Sequence, residues 1–409
     1  MAALFPFRAL RPRPSEAAAI AAVPYDVVST DEARALADGN PLSFLRVSRA
    51  EIELPADTDP YSDQVYQRAA SNYQRLTSSA FELEADASVY FYRLREGAHE
   101  QTGLAACFSL DEYDRGTIKK HERTRRDKED DRTRHMAAVG AQTGPVFLTY
   151  RATAGVNDLA QHLTAGAPLF DFTATDGVQH TLWKVTGTGR DALVAAFSKI
   201  PALYIADGHH RAASAARARA ERLQSDNAGH PLGDGADVNT VLAVAFPHDQ
   251  VRILPYNRVV KDLAGLSADA FLSAVAVHFT VASGHAEPRR GEIAMFLNDG
   301  WRTLTPKVPP DPHDAIASLD VSVLQDQLLA PILGIADVRT DKRIEFVGGV
   351  RGTSALEQLV HAGRSAVAFS LFPVSVADLM DVSDANAIMP PKSTWFEPKL
   401  RDGLLVHVI

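Results

Sequence analysis

A mixed α/β (α+β) fold follows from three observations. Short, uninterrupted apolar runs at 203–206 and 240–246 have the length and composition of buried strands. Residues 88–94 and 102–110 form a second pair of strand-like runs, joined by the polar stretch 95–101. Between these runs lie helix-favouring segments, among them 61–78 and the alanine- and arginine-rich 212–223. The chemical motifs concentrate before residue 260. The chain is therefore read as a site-bearing region over 1–260 and a second α/β lobe over 261–409, with a tail that can return to the site.

Taken in order, 5–12 is too rich in proline for a regular element, and 23–28 is extended. Asp26, after the stiff Pro24-Tyr25 pair, is either a site residue or a surface cap. Ser29 and Glu32 have capping-box spacing and start a helix that runs through Ala37. In 61–78, Val65, Ala69, Tyr73 and Leu76 share one helical face and read as scaffold. The stretch 118–135 alternates both signs of charge and reads as a solvated helix with internal ion pairs. Strands at 144–150 and 179–185 enclose a short helix at 157–163, and a helix at 191–198 leads to the strand at 203–206. A breaker-rich loop over 225–237 precedes the strand at 240–246. The run 251–260 is a further strand that ends at Asn257-Arg258. The second lobe offers helices at 267–277 and 321–333, strands at 344–350 and 365–371, and a proline-rich tail at 388–400.

Composition excludes several classes. A net charge of −9 over 409 residues argues against broad binding to nucleic acid or an anionic membrane, yet leaves room for a local basic pocket. The single cysteine, Cys107, forbids an internal disulfide and reads as a buried, inert thiol. No apolar run reaches membrane-spanning length and the start lacks a signal-peptide pattern, so the chain is expected to be cytoplasmic. Neither a repeat nor a dinucleotide or P-loop signature occurs.

The strongest local signal is Asp207-Gly208-His209-His210-Arg211, where a strand stops and a helix starts. The free N–H groups of a helix N-terminus, joined by two imidazoles and a guanidinium, suit a phosphate. Asp207 suits a hard cation such as Mg2+. The competing reading is a capped turn, with Asp207 as the N-cap and the histidines covering the helix start. A second cluster surrounds Glu122, with His121, Lys119, Lys120, Arg123 and Arg125 beside it and Lys128 and Arg132 one helical turn apart. His121-Glu122 is not a zinc-protease motif, because position 125 is Arg. Glu122 could act as a general base if a substrate hydroxyl reached it, with basic neighbours neutralising phosphate oxygens; the alternative is the ion-paired, solvated helix. Asn257 and Arg258 face either a pocket or a turn. Lys392, Ser393 and Thr394 either bind an anion or belong to a structural tail docked by Trp395 and Phe396.

Six stretches resemble, in order, one bacterial and archaeal family labelled a domain of unknown function. They are Pro6-Phe-Arg8, Pro24-Tyr-Asp-Val-Val28, Lys120-His-Glu-x-Thr124 with Lys128 and Asp131-Arg132, Ala206 to Arg211, Leu254 to Arg258, and Lys392-Ser-Thr-x-Phe396. That family is similar to the ParB/sulfiredoxin-like superfamily, which includes kinases of free L-serine. The resemblance implies a ParB/sulfiredoxin-like core and transfer of phosphate to the hydroxyl of a small metabolite, free L-serine foremost, or the reverse from phosphoserine. The donor would be pyrophosphate, ADP or ATP, with Mg2+ as cofactor. It implies catalytic roles for Glu122, His121 and Asp207, with Asp207 on the metal. Gly208, His209, His210 and Arg211 would cradle phosphate, with Lys120, Thr124, Lys128, Arg132, Asn257, Arg258, Lys392, Ser393 and Thr394 around the substrate. No nucleotide-base pocket is evident, which favours a small donor. The expected partner is a small molecule, not nucleic acid or membrane, and the oligomeric state is open, a homodimer included. The rivals are a ParB-like nucleotide-binding regulator, which should be basic and carry a helix-turn-helix, and a non-catalytic binder of phosphometabolites.

Overall fold

The structure, a computed structural model, describes residues 2–226 and 237–409. The loop expected over 225–237 therefore lies outside the described residues, except at its two ends. The chain forms two compact units, Met1–Val251 with Pro398–Ile409, and Arg252–Glu397. The division falls before the 256–260 strand, not after it, and the last twelve residues belong to the first unit. The α/β class expected from the sequence is what forms.

The first unit is built on a nine-stranded mixed sheet. Its strands are β1 (Leu4–Phe5), β2 (Val89–Glu96), β3 (His99–Ser109), β4 (Ile118–Lys119), β5 (Val146–Tyr150), β6 (Phe170–Thr173), β7 (Gln179–Val185), β8 (Leu203–Asp207) and β9 (Thr240–Pro247). Their spatial order is β4-β8-β5-β9-β3-β2-β7-β6, with β1 also paired to β3. The β2–β3 hairpin is tighter than the sequence suggests. Glu96 pairs with His99, and Gly97 takes φ +58° to close the turn, so most of the expected loop is strand. β9 is buried at every position and lies between β3 and β5, as its unbroken apolarity requires.

Six longer helices accompany this sheet: α1 (Thr30–Ala37), α2 (Asp63–Ala80), α3 (Arg126–Val139), α4 (Ala154–Leu163), α5 (Gly187–Phe197) and α6 (His209–Asp226). The Ser29/Glu32 capping box forms and starts α1. Leu193 and Phe197 of α5 and Ala212 and Ala215 of α6 join Leu203, Ile205, Phe108 and Leu148 in one core. Burying a Leu or Ile side chain contributes about 1.5–3 kcal/mol, so Leu203 and Ile205 anchor β8 firmly just before the Asp207-Gly208 corner.

The charged stretch 118–135 is not one helix. Ile118 is buried and pairs in parallel with Leu203, which draws 118–119 into the sheet edge, and residues 120–125 cross as irregular chain before α3 begins at Arg126. Burial of Ile118 and His121 overrides the local helical pattern. α3 then packs beside α6, where Ser214 Oγ donates to the Glu129 carbonyl at 3.2 Å and Arg217 pairs with Asp130.

The second unit holds a six-stranded antiparallel sheet in the order Phe279–Ser283, Gly300–Pro306, Ile293–Leu297, Val367–Leu371, Tyr256–Val260, Ile344–Gly348. The strand expected over 251–260 is interrupted at Pro255, which has no N–H to donate, giving Arg252–Leu254 and Tyr256–Val260. The helix expected over 321–333 is shorter and changes to a π-turn at Gln325–Leu329.

Candidate active site

β8 delivers the corner in a specific way. It pairs with β5, but its register shifts between Ile205 and Asp207, and this irregularity re-aims Asp207 at the strand end. Gly208 follows at φ +95°, a conformation that a side chain rarely adopts, and α6 starts at His209. A Cβ on Gly208 would meet Arg211 Nε at 3.1 Å and Cζ at 3.2 Å, so glycine also makes room for that guanidinium.

Asp207 does not behave as a helix cap. Lys399 Nζ donates to its Oδ2 at 2.9 Å, and its Oδ1 faces Arg211 Nη2 at 3.6 Å. Burial pushes the Asp207 carboxyl up, but Lys399 and then Arg211 draw it further down, to well below the ordinary carboxylate range. Both oxygens thus face cations. This fits a carboxylate that orients Lys399 and Arg211. Arg211 is nearly buried, donates to the Pro145 carbonyl at 2.5 Å, and lies 4.0 Å from Asp26 Oδ2. Its buried Nε has no hydrogen-bond partner, so one donor of the guanidinium is unsatisfied.

On the other side of the corner, the irregular chain after β4 lays His121 and Glu122 against His209. Their imidazole rings are 4.4 Å apart and edge-on, and the His121 amide donates to His209 Nε2 at 3.4 Å. His209 Nδ1 stands 4.0 Å from Glu122 Oε2. Burial lowers the pKa of both histidines, that of His121 to about 4, so both rings are neutral near pH 7. His210 turns outward and accepts from the Arg125 amide at 3.0 Å.

A small pocket lies next to Arg211 and is lined by Tyr25, Arg132, Gln142, Gly144 and Asp402 among others. Arg132 is held there by Asp131 at 2.8 Å and by the face of Tyr25 at 4.1 Å. Asp402 is 3% exposed. Burial is the largest influence on its carboxyl, opposed by Arg211 and reinforced by Asp26, and its pKa rises to about 7. A Cβ at Gly144 would fall 2.3 Å from Asp402 Oδ1, so the absence of a side chain there admits the carboxyl.

The family profile described as "Protein of unknown function (DUF1015)" matches residues 4–322. The chain belongs to that family. Among curated proteins, none matches the chain. Solved structures similar to it include the following three. One is a conserved hypothetical protein from Pyrococcus furiosus, at 13% identity and TM-score 0.36, over 74% of this chain and 95% of that one. Another is SbnI with a C-terminal truncation from Staphylococcus aureus, at 14% and 0.38, over 72% and 84%. The third is a free serine kinase in complex with AMP, at 12% and 0.37, over 73% and 92%.

The remaining expected site residues divide by unit. In the first unit, Lys120 lies over the Tyr113 ring at 3.6 Å, and Thr124 donates to Glu129. Lys128 donates to the Tyr61 hydroxyl at 2.8 Å, so its partner is a neighbouring helix start and not the corner. In the second unit, Asn257 is buried and accepts from the Leu371 amide at 3.2 Å. Arg258 is buried as well. It donates to the carbonyls of Tyr256 and, at 3.0 Å, Lys392, and burial lowers its pKa to about 10. Ser393 donates to the Pro390 carbonyl at 2.5 Å, and Lys392 lies 5.7 Å from the centre of the Tyr256 ring. Asn257, Arg258, Lys392 and Ser393 thus make these contacts within their own unit. Thr394 directly precedes the short strand Trp395–Glu397 of the same unit.

Asp402 and Gly144 escaped sequence reading as site residues, and Lys399 entered it only as the second basic residue of the 388–400 tail, weighed for binding an anion. Asp26 was weighed only as an open alternative. The available signal for Lys399 and Asp402 was their position, a basic and an acidic residue in a short apolar tail after Pro398.

Proposed function

We propose that the corner at the start of α6 is a phosphoryl-transfer site, and that the protein is a phosphotransferase acting on the hydroxyl of a small metabolite. Free L-serine is the foremost acceptor, or phosphoserine in the reverse direction, with pyrophosphate, ADP or ATP as donor. One observation carries this reading. Arg211 and Lys399 converge on Asp207 at the start of α6, while carboxylates stand on both sides, Asp26 4.0 Å from Arg211 and Glu122 4.0 Å from His209. Phosphoryl transfer needs mainly positioning and charge neutralisation, with one base for the hydroxyl proton.

In this reading the amides of α6 and the Arg211 guanidinium bind phosphate oxygens. Asp207 orients Lys399 and Arg211 toward them. Glu122, half exposed at the edge of the corner, takes the hydroxyl proton, and Asp26 is the second carboxylate within reach of the same phosphate. A divalent cation on the donor would neutralise phosphate charge.

The test is an assay for phosphoserine formation and phosphate release with each of the three donors and Mg2+, on the full chain. Turnover with one donor that falls at least about 100-fold in Glu122→Gln, with substrate KM little changed, supports Glu122 as the base. The same fall in Asp26→Asn alone moves the role to Asp26. No turnover with any donor in either direction overturns the enzyme reading and favours a binder of phosphometabolites.

A further inference from the structure

We propose that His121, Glu122 and His209 form a binding site for a first-row transition dication of the Zn2+ or Co2+ class, distinct in chemistry from the Mg2+ that accompanies phosphate donors. The three residues can each present a ligand atom with all three atoms within 4.8 Å of one another. Two imidazole nitrogens and a carboxylate oxygen are a donor set that suits Zn2+, Co2+, Fe2+ or Ni2+. Mg2+ prefers oxygen alone and keeps most of its water.

A second observation is independent of this clustering. His121 is 2% exposed, and both of its ring nitrogens lack a hydrogen-bond partner of ordinary geometry. The Ile205 carbonyl acts on the ring only enough to oppose part of the burial effect. A buried polar group left unpaired is destabilising. The edge-on contact with the His209 ring satisfies neither nitrogen. A cation between the three side chains satisfies one of them directly.

The geometry requires modest closure. Ligand atoms around a tetrahedral Zn2+ lie about 3.4 Å apart, given bonds of about 2.0–2.1 Å. His209 Nδ1 and Glu122 Oε2 are at 4.0 Å, and the Glu122 side chain is 40% exposed, so it can move the remaining distance without disturbing the core. Because His209 Nε2 accepts the His121 amide, the ring proton resides on Nδ1, facing Glu122. Loading moves that proton to Nε2 and gives up the long 3.4 Å contact, a small loss against two metal–nitrogen bonds. The site does not depend on the phosphotransferase reading. When it is loaded, Glu122 is a ligand, and Asp26 becomes the carboxylate that receives a hydroxyl proton.

The test uses tag-free, full-length protein stripped with a chelator, then dialysed separately against Zn2+, Co2+ and Mg2+. Bound metal is measured by mass spectrometry after desalting, and Co2+ also by its visible absorption. About one Zn2+ or Co2+ per chain is expected, with Mg2+ not retained. His121→Ala and Glu122→Gln should each weaken Zn2+ binding at least about tenfold. Glu122→Gln keeps its shape at a half-exposed position, so it guards against misfolding of the His121 variant. The rise in melting temperature on adding Zn2+ should disappear with it. Failure of the wild-type protein to retain Zn2+ or Co2+, or unchanged affinity in both variants, overturns the proposal. Phosphate transfer is measured separately on stripped and on loaded protein, so that failure of metal binding and failure of the phosphotransferase reading are distinguished.

Discussion

Replacing Asp402 with Asn should stabilise the protein, and only above mildly acidic pH. The carboxyl is buried, and its pKa rises from the ordinary 3.8 to about 7. A folded-state pKa above the unfolded value means that the folded protein holds its proton more tightly. The contribution to stability is therefore complete below about pH 4 and is lost as pH rises to about 7. The interval is about three pH units, each worth about 1.4 kcal/mol, so the loss approaches about 4 kcal/mol by pH 8. Asn resembles the protonated acid and does not titrate. The variant should match the wild type near pH 4 and exceed it by up to about 4 kcal/mol at pH 8. Urea unfolding followed by fluorescence at pH 4, 6 and 8 measures this. A variant that is less stable at pH 8, or whose advantage is the same at all three values, refutes the argument. The first result would mean that Asp402 is ionised and paired with Arg211 or Arg132, the second that its effect is steric.

Two further substitutions probe the corner. Lys399→Met leaves Asp207 with only Arg211 at 3.6 Å, and should lower stability at pH 7 by about 2 kcal/mol. Because the Asp207 carboxyl is held below its ordinary 3.8, this deficit should be complete above about pH 4 and shrink as pH falls, which paired urea titrations read directly. Gly208→Ala combines a positive φ with a Cβ about 3.1 Å from the Arg211 guanidinium. A loss of about 1–2 kcal/mol is expected, together with weaker protection by inorganic phosphate in thermal melts.

Several features were legible because their causes are local. The β2–β3 hairpin, the Ser29/Glu32 capping box and the Asp207-Gly208 break each depend on residues within a few positions of one another. The charged stretch misled for the opposite reason. Its composition favours a helix throughout, but Ile118 gains more by pairing with Leu203 than a first helical turn would return, so the helix waits until Arg126. Arg258 and Lys392 look like anion ligands in a motif, yet the buried guanidinium is used on the backbone carbonyls of its own unit.

The sequence alone determined the family, the α/β class and the position of the corner, since an apolar run, a glycine able to take positive φ and a helix-forming stretch must meet there. It also supplied Arg211 and the two histidines. Tertiary structure decided what surrounds them. Lys399 meets Asp207 across 192 positions, Asp26 approaches Arg211, and His121 with Glu122 is folded onto His209. These meetings depend on how the sheet edge and the final twelve residues close on the core. No short-range pattern encodes that closure, because the energy that drives it is non-directional burial spread over the whole unit.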